Sequence, residues 1–222
     1  MIDTIELNDI VKLFNKKKVL DIPNKTFIRG SIISCTGLNG SGKTTFIKII
    51  AGLLTPDSGT ISIFNTSVSS KKYRDSRAFV LESGKGYYEY LTARENIQYF
   101  LGINKISYKN KKDKIEELST RFNFNEHMDK KVSELSQGNR QVMSIIINLI
   151  KEPEVLLLDE PTNGLDEIRI KTLEDLLLKA NKNMKTTIFI TSHDKLFVQN
   201  ISSQILIFDT GKIIKDEVVG IV

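Results

Sequence analysis

Eight consecutive residues near the N-terminus have the composition of a phosphate-binding loop. The stretch reads Gly37-Leu38-Asn39-Gly40-Ser41-Gly42-Lys43-Thr44. It matches the pattern G-x-x-x-x-G-K-[ST] at every fixed position. The glycines let backbone N–H groups approach phosphate oxygens, Lys43 is suited to neutralise β- and γ-phosphates, and the Thr44 hydroxyl is suited to ligate Mg²⁺. A glycine turn alone would not require the Lys-Thr pair, so the loop predicts binding of a nucleoside triphosphate.

Two carboxylates follow an apolar run later in the chain. The run Val155–Leu158 precedes Asp159 and Glu160. Ligands of open α/β sheets bind at the carboxyl ends of strands, so we expect both acids beside the phosphate loop. Asp159 is suited to hold the metal ion through its water shell, and Glu160 to polarise a water that attacks the γ-phosphate in line. The alternative is that both acids simply form a turn before Pro161.

Short apolar and β-branched runs indicate the strands that position these residues. They are Ser31–Thr36, Ala78–Leu81, Val155–Asp159, Thr186–Thr191 and Ile205–Phe208. Helical stretches separate them, which predicts an α/β fold with a mostly parallel sheet. One such helix, Thr45–Ala51, follows the phosphate loop and points its N-terminus at it. The opening stretches Thr4–Phe14 and Val19–Ile22 predict an antiparallel hairpin on one edge.

The sequence pattern in the middle of the chain predicts helices. Thr92-Ala93-Arg94-Glu95 is a capping box, which indicates a helix start. A second helix is predicted at Tyr108–Phe122, and a third, Gly138–Ile150, is apolar on too many faces to lie on a surface. We therefore expect one domain, 1–222, in which a helical subdomain at 83–150 is inserted into a core formed by 1–82 and 151–222.

Composition limits the class of protein. Hydrophobic residues make up 40% of the 222 residues and charged residues 27%, as in soluble globular proteins. The longest apolar runs fall far short of a membrane span, and the first residues do not resemble a secretory signal. The single cysteine, Cys35, is expected in the core. A net charge of +5 would suit nucleic acid or an anionic membrane face, but a lysine-rich solvated surface explains it more simply. No nucleic-acid partner is expected.

Three further segments resemble motifs of ATP-binding cassette (ABC) proteins. Leu135-Ser136-Gln137-Gly138-Asn139 is similar to the family's signature loop, usually written LSGGQ. Asp159-Glu160-Pro161-Thr162-Asn163-Gly164-Leu165-Asp166 resembles its joined Walker B and D-loop, and Ser192-His193-Asp194 its switch histidine. The motifs occur in the family's order, from Phe14 to about Lys215. The resemblance implies a P-loop NTPase (RecA-like) core with an antiparallel β edge, an inserted helical subdomain, ATP and Mg²⁺ as ligands, and ATPase activity.

The resemblance also implies roles for individual residues. Phe14 matches the aromatic residue that stacks on adenine, and His193 the residue that contacts the γ-phosphate beside the catalytic Glu160 and Lys43. Nucleotide contacts are expected from Gly37, Leu38, Asn39, Gly40, Ser41, Gly42, Lys43, Thr44, Thr45, Glu82, Ser136, Gly138, Asp159 and Asp166. Thr44, Asp159 and Glu82 are the expected metal ligands. The other histidine, His127, lacks such a context and is predicted on the surface.

Family resemblance explains why Ser136 would need a second subunit. Its hydroxyl opens a helix and forms, with nearby N–H groups, an anion site that has no phosphate in its own chain. In the family, two subunits meet head to tail, and each ATP lies between one P-loop and the other signature loop. A serine at a helix start is otherwise an ordinary cap.

Two departures from the family pattern bear on this reading. Gln137 and Asn139 replace the usual glycine and glutamine of the signature, and both keep polar side chains. Glu82 stands where a glutamine usually contacts metal and water. A carboxylate is a harder ligand for Mg²⁺ than an amide oxygen, so a metal contact is expected to persist there.

The stretch Glu82–Ile97 is similar to cassettes that serve drug, antibiotic-peptide and bacteriocin-immunity exporters. The chain also ends soon after Lys215, without the additional domain of many importer subunits. We therefore expect a cytoplasmic ATPase, peripheral on the inner membrane face, that drives export by a separate transmembrane permease and pairs with a second ATP-binding subunit. An importer ATPase, or a soluble cassette acting on ribosomes or DNA, remains the alternative.

An aromatic cluster inside that stretch is a candidate docking surface for the permease. It comprises Tyr87, Tyr88, Tyr90 and Leu91. Aromatic residues are enriched at protein interfaces. Burial in the domain's own core is the alternative for each side chain.

Overall fold

The computed structural model describes residues 3–82 and 86–219. The strands are Thr4–Phe14 (β1), Lys17–Ile22 (β2), Lys25–Ile28 (β3), Ile32–Gly37 (β4), Ser58–Ile63 (β5), Thr66–Ser67 (β6), Arg77–Val80 (β7), Val155–Asp159 (β8), Thr187–Thr191 (β9), Gln204–Asp209 (β10) and Lys212–Val218 (β11). The helices are Lys43–Ile50 (α1), Lys71–Ser76 (α2), Ala93–Ile103 (α3), Lys112–Arg121 (α4), Gln137–Ile150 (α5), Glu167–Met184 (α6) and Lys195–Ile201 (α7). The predicted α/β class is confirmed.

The central sheet has the order β11-β10-β4-β9-β8-β7. Every neighbouring pair from β10 to β7 is parallel, and β11 alone runs antiparallel to β10 at one edge. The residues of β8 and β9 are buried, as expected for strands covered on both faces. Because the carboxyl ends of parallel strands lie at one edge, the segments after β4, β7, β8 and β9 meet there.

The predicted N-terminal hairpin exists but does not extend this sheet. β1 pairs with β2, β3 and β5 in a separate antiparallel sheet that also includes β6. Buried side chains of this second sheet, of α1 and of the central sheet form one continuous core. Helix α1 therefore lies between two sheets, which fixes the phosphate loop at its N-terminus.

The segment between β7 and β8 is helical, as the sequence indicates. The capping box is present, since the Thr92 hydroxyl accepts from the Glu95 N–H at 3.2 Å and the Glu95 carboxylate accepts from the Thr92 N–H at 2.7 Å. The predicted second helix begins as a 3₁₀ turn at Lys109–Lys111 before α4. The predicted start of the helical subdomain, residue 83, lies outside the described residues.

Helix α5 is the centre of this helical region. Twelve of its fourteen residues are buried, in agreement with its apolar faces in the sequence. It packs against β7, α3 and α4, and its apolar side chains join the core on the face of the central sheet opposite α1. Burial of each large aliphatic side chain from Val142 onward contributes about 1.5–3 kcal/mol, so the part of α5 that follows its first turn is held firmly in the core.

No helix in the described ranges is long and apolar enough to cross a bilayer.

Candidate nucleotide-binding and catalytic site

The phosphate loop joins β4 to α1. Gly42 is the N-cap of α1 at φ 103, and within residues 3–82 and 86–219 no side chain caps the helix there. A β-carbon at Gly42 would also lie 3.1 Å from the Val19 carbonyl oxygen. Glycine is therefore required both by the left-handed backbone and by the close approach of β2. The N–H groups of the first turn of α1 consequently point at the loop's concave side with no side-chain acceptor.

The donors around this loop fit a chain of phosphates. The hydroxyl oxygen of Ser41 is buried and has no hydrogen-bond partner in the part of the chain that the structure describes. A buried hydroxyl without a partner costs free energy unless a ligand satisfies it. Together with the uncapped N-terminus of α1, it forms a site of the kind that binds anions.

Lys43 lies inside the loop rather than on the protein surface. Its ammonium donates to the carbonyl oxygens of Gly37 at 2.8 Å and Leu38 at 3.0 Å. Burial lowers the pKa of Lys43, and the neighbouring Glu160 carboxylate acts in the opposite direction. The positive charge is thus held within the loop, where phosphate oxygens would replace the carbonyl contacts.

Asp159 at the end of β8 connects three elements. Its Oδ1 accepts from the Thr44 hydroxyl of α1 at 2.9 Å and from the Thr191 hydroxyl of β9 at 2.7 Å. The Thr44 hydroxyl and the Asp159 carboxylate are hard oxygen ligands within reach of each other, which fits Mg²⁺. The sequence did not single out Thr191, although a hydroxyl residue at the end of a buried strand was a usable signal.

Glu160 is held in an unusual backbone conformation. Its φ of 47 places it in the left-handed region, which is unfavourable for a side chain of this type. Its N–H donates to both the carbonyl oxygen and the hydroxyl of Thr191, at 3.1 and 2.9 Å. These bonds hold the turn against a backbone strain of about 1–3 kcal/mol.

The Glu160 carboxylate contacts the predicted switch histidine. Nε2 of His193 lies 3.1 Å from Oε1 of Glu160. Burial raises the pKa of Glu160, while His193 and Lys43 oppose that rise. A buried glutamate with a raised pKa is a stronger base than an exposed one, which suits proton abstraction.

Lys43, Thr44, Glu160 and His193 line one cleft of about 430 Å³, and Asp159 is connected to it through its bond to Thr44. Its lining consists of Val19, Asn39, Gly40, Gly42, Lys43, Thr44, Thr45, Glu82, Glu160, Asn163 and His193. Glu82 is exposed on the rim, where its Oε1 accepts from the Asn163 amide at 3.4 Å. Asn163 and Val19 are lining residues to which the sequence had assigned no role.

Other predicted site residues lie apart from the cleft. Phe14, at the end of β1, is 47% exposed, and its ring faces the Lys12 ammonium at 5.6 Å from the centroid. Gly37 and Leu38 line a neighbouring apolar pocket that also reaches His193. The Asp166 side chain caps α6 by accepting from the Arg169 N–H at 2.9 Å.

The predicted signature residues lie at the N-terminus of α5, outside the cleft. Ser136 is the N-cap of α5 and is exposed, and its hydroxyl accepts from the Asn139 N–H at 3.2 Å. Gly138 lies directly under the loop that follows Glu160, because a β-carbon there would be 2.1 Å from the Gly164 carbonyl oxygen. The signature turn, residues 135–139, is therefore in backbone contact with the segment that follows Glu160. It does not line the cleft that contains Glu160.

The prediction for His127 was wrong. Only 14% of its side chain is exposed, its Nε2 lies 3.2 Å from the amide nitrogen of Asn139, and its ring packs near Phe124. The 3₁₀ turn Asn125–His127 carries the ring under α5, a contact that no local sequence pattern indicates.

The aromatic cluster divides into two parts. Tyr87 packs against the core, and its hydroxyl donates to the Ser144 hydroxyl at 2.9 Å. Burial raises the pKa of Tyr87 to about 12. Tyr88 and Tyr90 are 49% and 86% exposed, and the Tyr88 ring stacks edge to face on Tyr99. Leu91 is half-buried, so Tyr88 and Tyr90 are the exposed members of the cluster and the candidates for docking.

Residues 20–163 match the family described as ABC transporter. The chain is 32% identical over 217 residues to the ABC transporter ATP-binding protein NatA of Bacillus subtilis, covering 95% of this chain and 87% of that one. It is 35% identical over 213 residues to the bacitracin transport ATP-binding protein BcrA of Bacillus licheniformis, covering 96% and 69%. It is 31% identical over 212 residues to the probable sulfate/thiosulfate import ATP-binding protein CysA of Chlorella vulgaris, covering 96% and 90%.

Solved structures show the same architecture. An ATP binding subunit of an ABC transporter superposes with a TM-score of 0.86 at 25% identity, covering 99% of this chain and 90% of that one. The dimeric bacterial ABC transporter cassette MJ0796 superposes with a TM-score of 0.89 at 24% identity, covering 97% and 99%.

Proposed function

This chain belongs to the ABC transporter family as an ATP-hydrolysing subunit, and from that premise we propose that it powers export by a separate membrane-spanning permease. The observation that supports its part in the reaction is the cleft in which Lys43, Glu160 and His193 face one another beside the Thr44–Asp159 pair.

The chain's own groups account for binding and activation of the substrate. The N–H groups of α1, the Ser41 hydroxyl and Lys43 bind the phosphates of ATP. Thr44 and Asp159 would hold Mg²⁺, which when bound supplies neutralisation of the phosphate charge. Glu82, across the cleft, is proposed as a further metal contact. Phe14 is proposed to stack on the adenine, and its exposed ring leaves a face for this.

Glu160 accepts the proton of the attacking water. Its carboxylate is buried beside His193, which orients it, and the raised pKa favours proton transfer near neutral pH. His193 is itself half exposed and is proposed to reach the γ-phosphate.

We propose that the complete site needs a second copy of the chain or a close paralogue. Ser136, Gly138 and Asp166 do not line the cleft that holds the P-loop. The exposed Ser136 hydroxyl at the N-terminus of α5 is suited to meet the γ-phosphate bound by a partner, as in a head-to-tail dimer. The helical subdomain, proposed as 83–150, would move with ATP relative to the core formed by 1–82 and 151–222, and its backbone contact at Gly164 links the two.

The permease would dock on the exposed aromatic surface of Tyr88 and Tyr90. Both side chains belong to the stretch Glu82–Ile97, whose similarity to exporter cassettes supports export over import. The relative named for bacitracin transport agrees with that preference, whereas the relative named for sulfate/thiosulfate import supports an importer as the second candidate. We propose that this docking holds the chain on the inner face of the membrane.

Replacement of Glu160 by Gln tests the catalytic assignment. Loss of the base should reduce ATP turnover by about 10²–10⁴-fold while ATP binding persists, and the variant should accumulate as an ATP-bound dimer. The exposed Glu116 of α4 is a matched control, and Glu116→Gln should retain full turnover. ATPase rates and size-exclusion chromatography with ATP measure both effects. A monomeric Glu160→Gln variant that hydrolyses ATP at the wild-type rate would remove Glu160 as the base.

Transport direction requires the assembled transporter. In inverted membrane vesicles, which expose the inner face, external ATP should drive labelled bacitracin into the lumen if the system exports this cargo class. Tyr88→Ala/Tyr90→Ala should reduce permease binding, while Ile214→Ala on the exposed face of β11 should not. ATP-driven loss of preloaded sulfate from the vesicles would instead support import.

A further inference from the structure

His127 packs against the signature turn from inside the protein. Its side chain is mostly buried, and its Nε2 lies 3.2 Å from the side-chain amide of Asn139. The ring is backed by Phe124, with ring centroids 5.6 Å apart. The imidazole therefore has a fixed position under the first turn of α5.

Asn139 connects His127 to Ser136 through two hydrogen bonds. The Asn139 side chain is buried and turned toward His127, while its backbone N–H donates to the Ser136 hydroxyl oxygen at 3.2 Å. One residue is thus held by the imidazole and in turn holds the hydroxyl. A hydroxyl that accepts from the backbone keeps its own O–H to donate outward, so its direction depends on Asn139.

The residue in contact with His127 stands at a position that departs from the family signature. Asn139 stands where glutamine is usual, and its shorter side chain reaches into its own subunit. His127 occupies the space beyond it.

The surroundings of His127 favour the neutral ring. The ammonium of Lys130 lies 3.2 Å from Nδ1, Glu126 Oε1 lies 3.4 Å from Nε2, and Arg169 of α6 also acts on the ring. Burial lowers the pKa of His127, Lys130 and Arg169 lower it further, and Glu126 opposes them. The Lys130 ammonium can only donate, so Nδ1 accepts from it and Nε2 carries the proton of the neutral ring. Nε2 therefore donates to the oxygen end of the Asn139 amide, because that oxygen is buried and has no other hydrogen-bond partner among the described residues.

We propose that His127 is a positioning residue for ATP-driven dimerisation: through Asn139 it orients the Ser136 hydroxyl toward the nucleotide bound by the partner subunit. The inference rests on the proposed function, because the nucleotide that Ser136 meets belongs to a second subunit. His127 itself is not among the residues that line the cleft at the P-loop.

The test uses the full chain in a Glu160→Gln background, in which hydrolysis does not separate the dimer. The dimer dissociation constant is measured with ATP by analytical ultracentrifugation, and ATP affinity of the monomer by fluorescent nucleotide titration at low protein concentration. His127→Ala should raise the dimer dissociation constant about tenfold and leave monomer ATP affinity unchanged, because the monomer's own cleft is intact. His127→Gln, whose amide can reach the place of Nε2, should restore dimerisation. Lys131→Ala, at the exposed lysine one position beyond Lys130, is the matched control and should behave as the parent.

Hydrogen exchange in the monomer gives a second readout. The Asn139 N–H should exchange about tenfold faster in His127→Ala and return toward the parent rate in His127→Gln. A dimerising parent whose His127→Ala derivative has the same dissociation constant or the same exchange rate overturns the positioning role alone. A parent that stays monomeric with ATP overturns the proposed dimer and with it the role in trans.

Discussion

The contact between α5 and the loop after Glu160 allows a quantitative test at Gly138. A β-carbon added to Gly138 would lie 2.1 Å from the Gly164 carbonyl oxygen and 3.1 Å from its carbonyl carbon. These are backbone atoms, so no side-chain rotation relieves the clash. Either the first turn of α5 or the segment around Gly164 must move.

The expected cost follows from two opposing terms. Overpacking a tight contact costs about 1–3 kcal/mol, and a rigid backbone partner favours the upper value. Alanine gains about 1 kcal/mol over glycine as a helix former. Gly138→Ala should therefore lower the free energy of unfolding by about 2 kcal/mol, which for a domain of this size is a fall in Tm of roughly 4–8 °C.

Gly102 in the last turn of α3 is the matched control. A β-carbon there meets no atom of the described residues within 4 Å, so Gly102→Ala should gain about 0.5–1 kcal/mol. Urea unfolding followed by circular dichroism measures both variants, and ATP-dependent dimerisation in the Glu160→Gln background should weaken only for Gly138→Ala. Equal stability of Gly138→Ala and the wild type, or a shift of the same sign in both variants, would refute the claimed contact.

Three further predictions concern buried polar groups. Thr191→Val removes a buried hydroxyl that donates to the Asp159 carboxylate at 2.7 Å, so unfolding in urea should show a loss of about 1.5–3 kcal/mol. Tyr87→Phe removes the 2.9 Å bond to Ser144 and should cost about 1 kcal/mol at neutral pH. The Tyr87 pKa rises from 10.0 to about 12 on folding, so its contribution to the free energy of unfolding is fully present below pH 10 and is lost as pH rises toward 12. Unfolding measured at each pH should show a smaller alkaline loss of stability in Tyr87→Phe than in the wild type. Burial raises the pKa of the Cys35 thiol, so a thiol reagent should label it at the rate of global unfolding, and rapid labelling of the folded protein would contradict its place in the core.

Much of the site was predictable because its parts are contiguous in the chain. The phosphate loop, its preceding strand and its following helix occupy one stretch, so their relative geometry is set by local backbone conformation. β8 has the bounds that its apolar run predicts, β4 is shifted by one residue at both ends, and β9 begins one residue later than predicted. The common rule that parallel strands end at one edge predicted that Lys43, Asp159 and His193 lie together. In the structure Lys43 and His193 line one cleft, and Asp159 bonds Thr44 of the same cleft.

The pairing of strands that are far apart in the chain was harder to predict from the sequence. The stretch Thr4–Ile22 reads as a hairpin whether it extends the central sheet or begins another. Its separate sheet depends on β5, which lies far along the chain and had no distinctive alternation. Likewise, Tyr87 and Tyr88 are adjacent and alike in type, yet one bonds Ser144 in the core and the other faces solvent.

What the sequence by itself determined was therefore the inventory of reacting groups and the order of the elements that carry them. Tertiary structure alone decided that Thr191 joins Asp159 to Glu160, that Gly138 lies under Gly164, and that His127 reaches Asn139. The physical reason is that hydrogen bonds and close contacts act over about 3 Å, and which side chains come that close is set by the packing of whole sheets and helices rather than by neighbours in the chain.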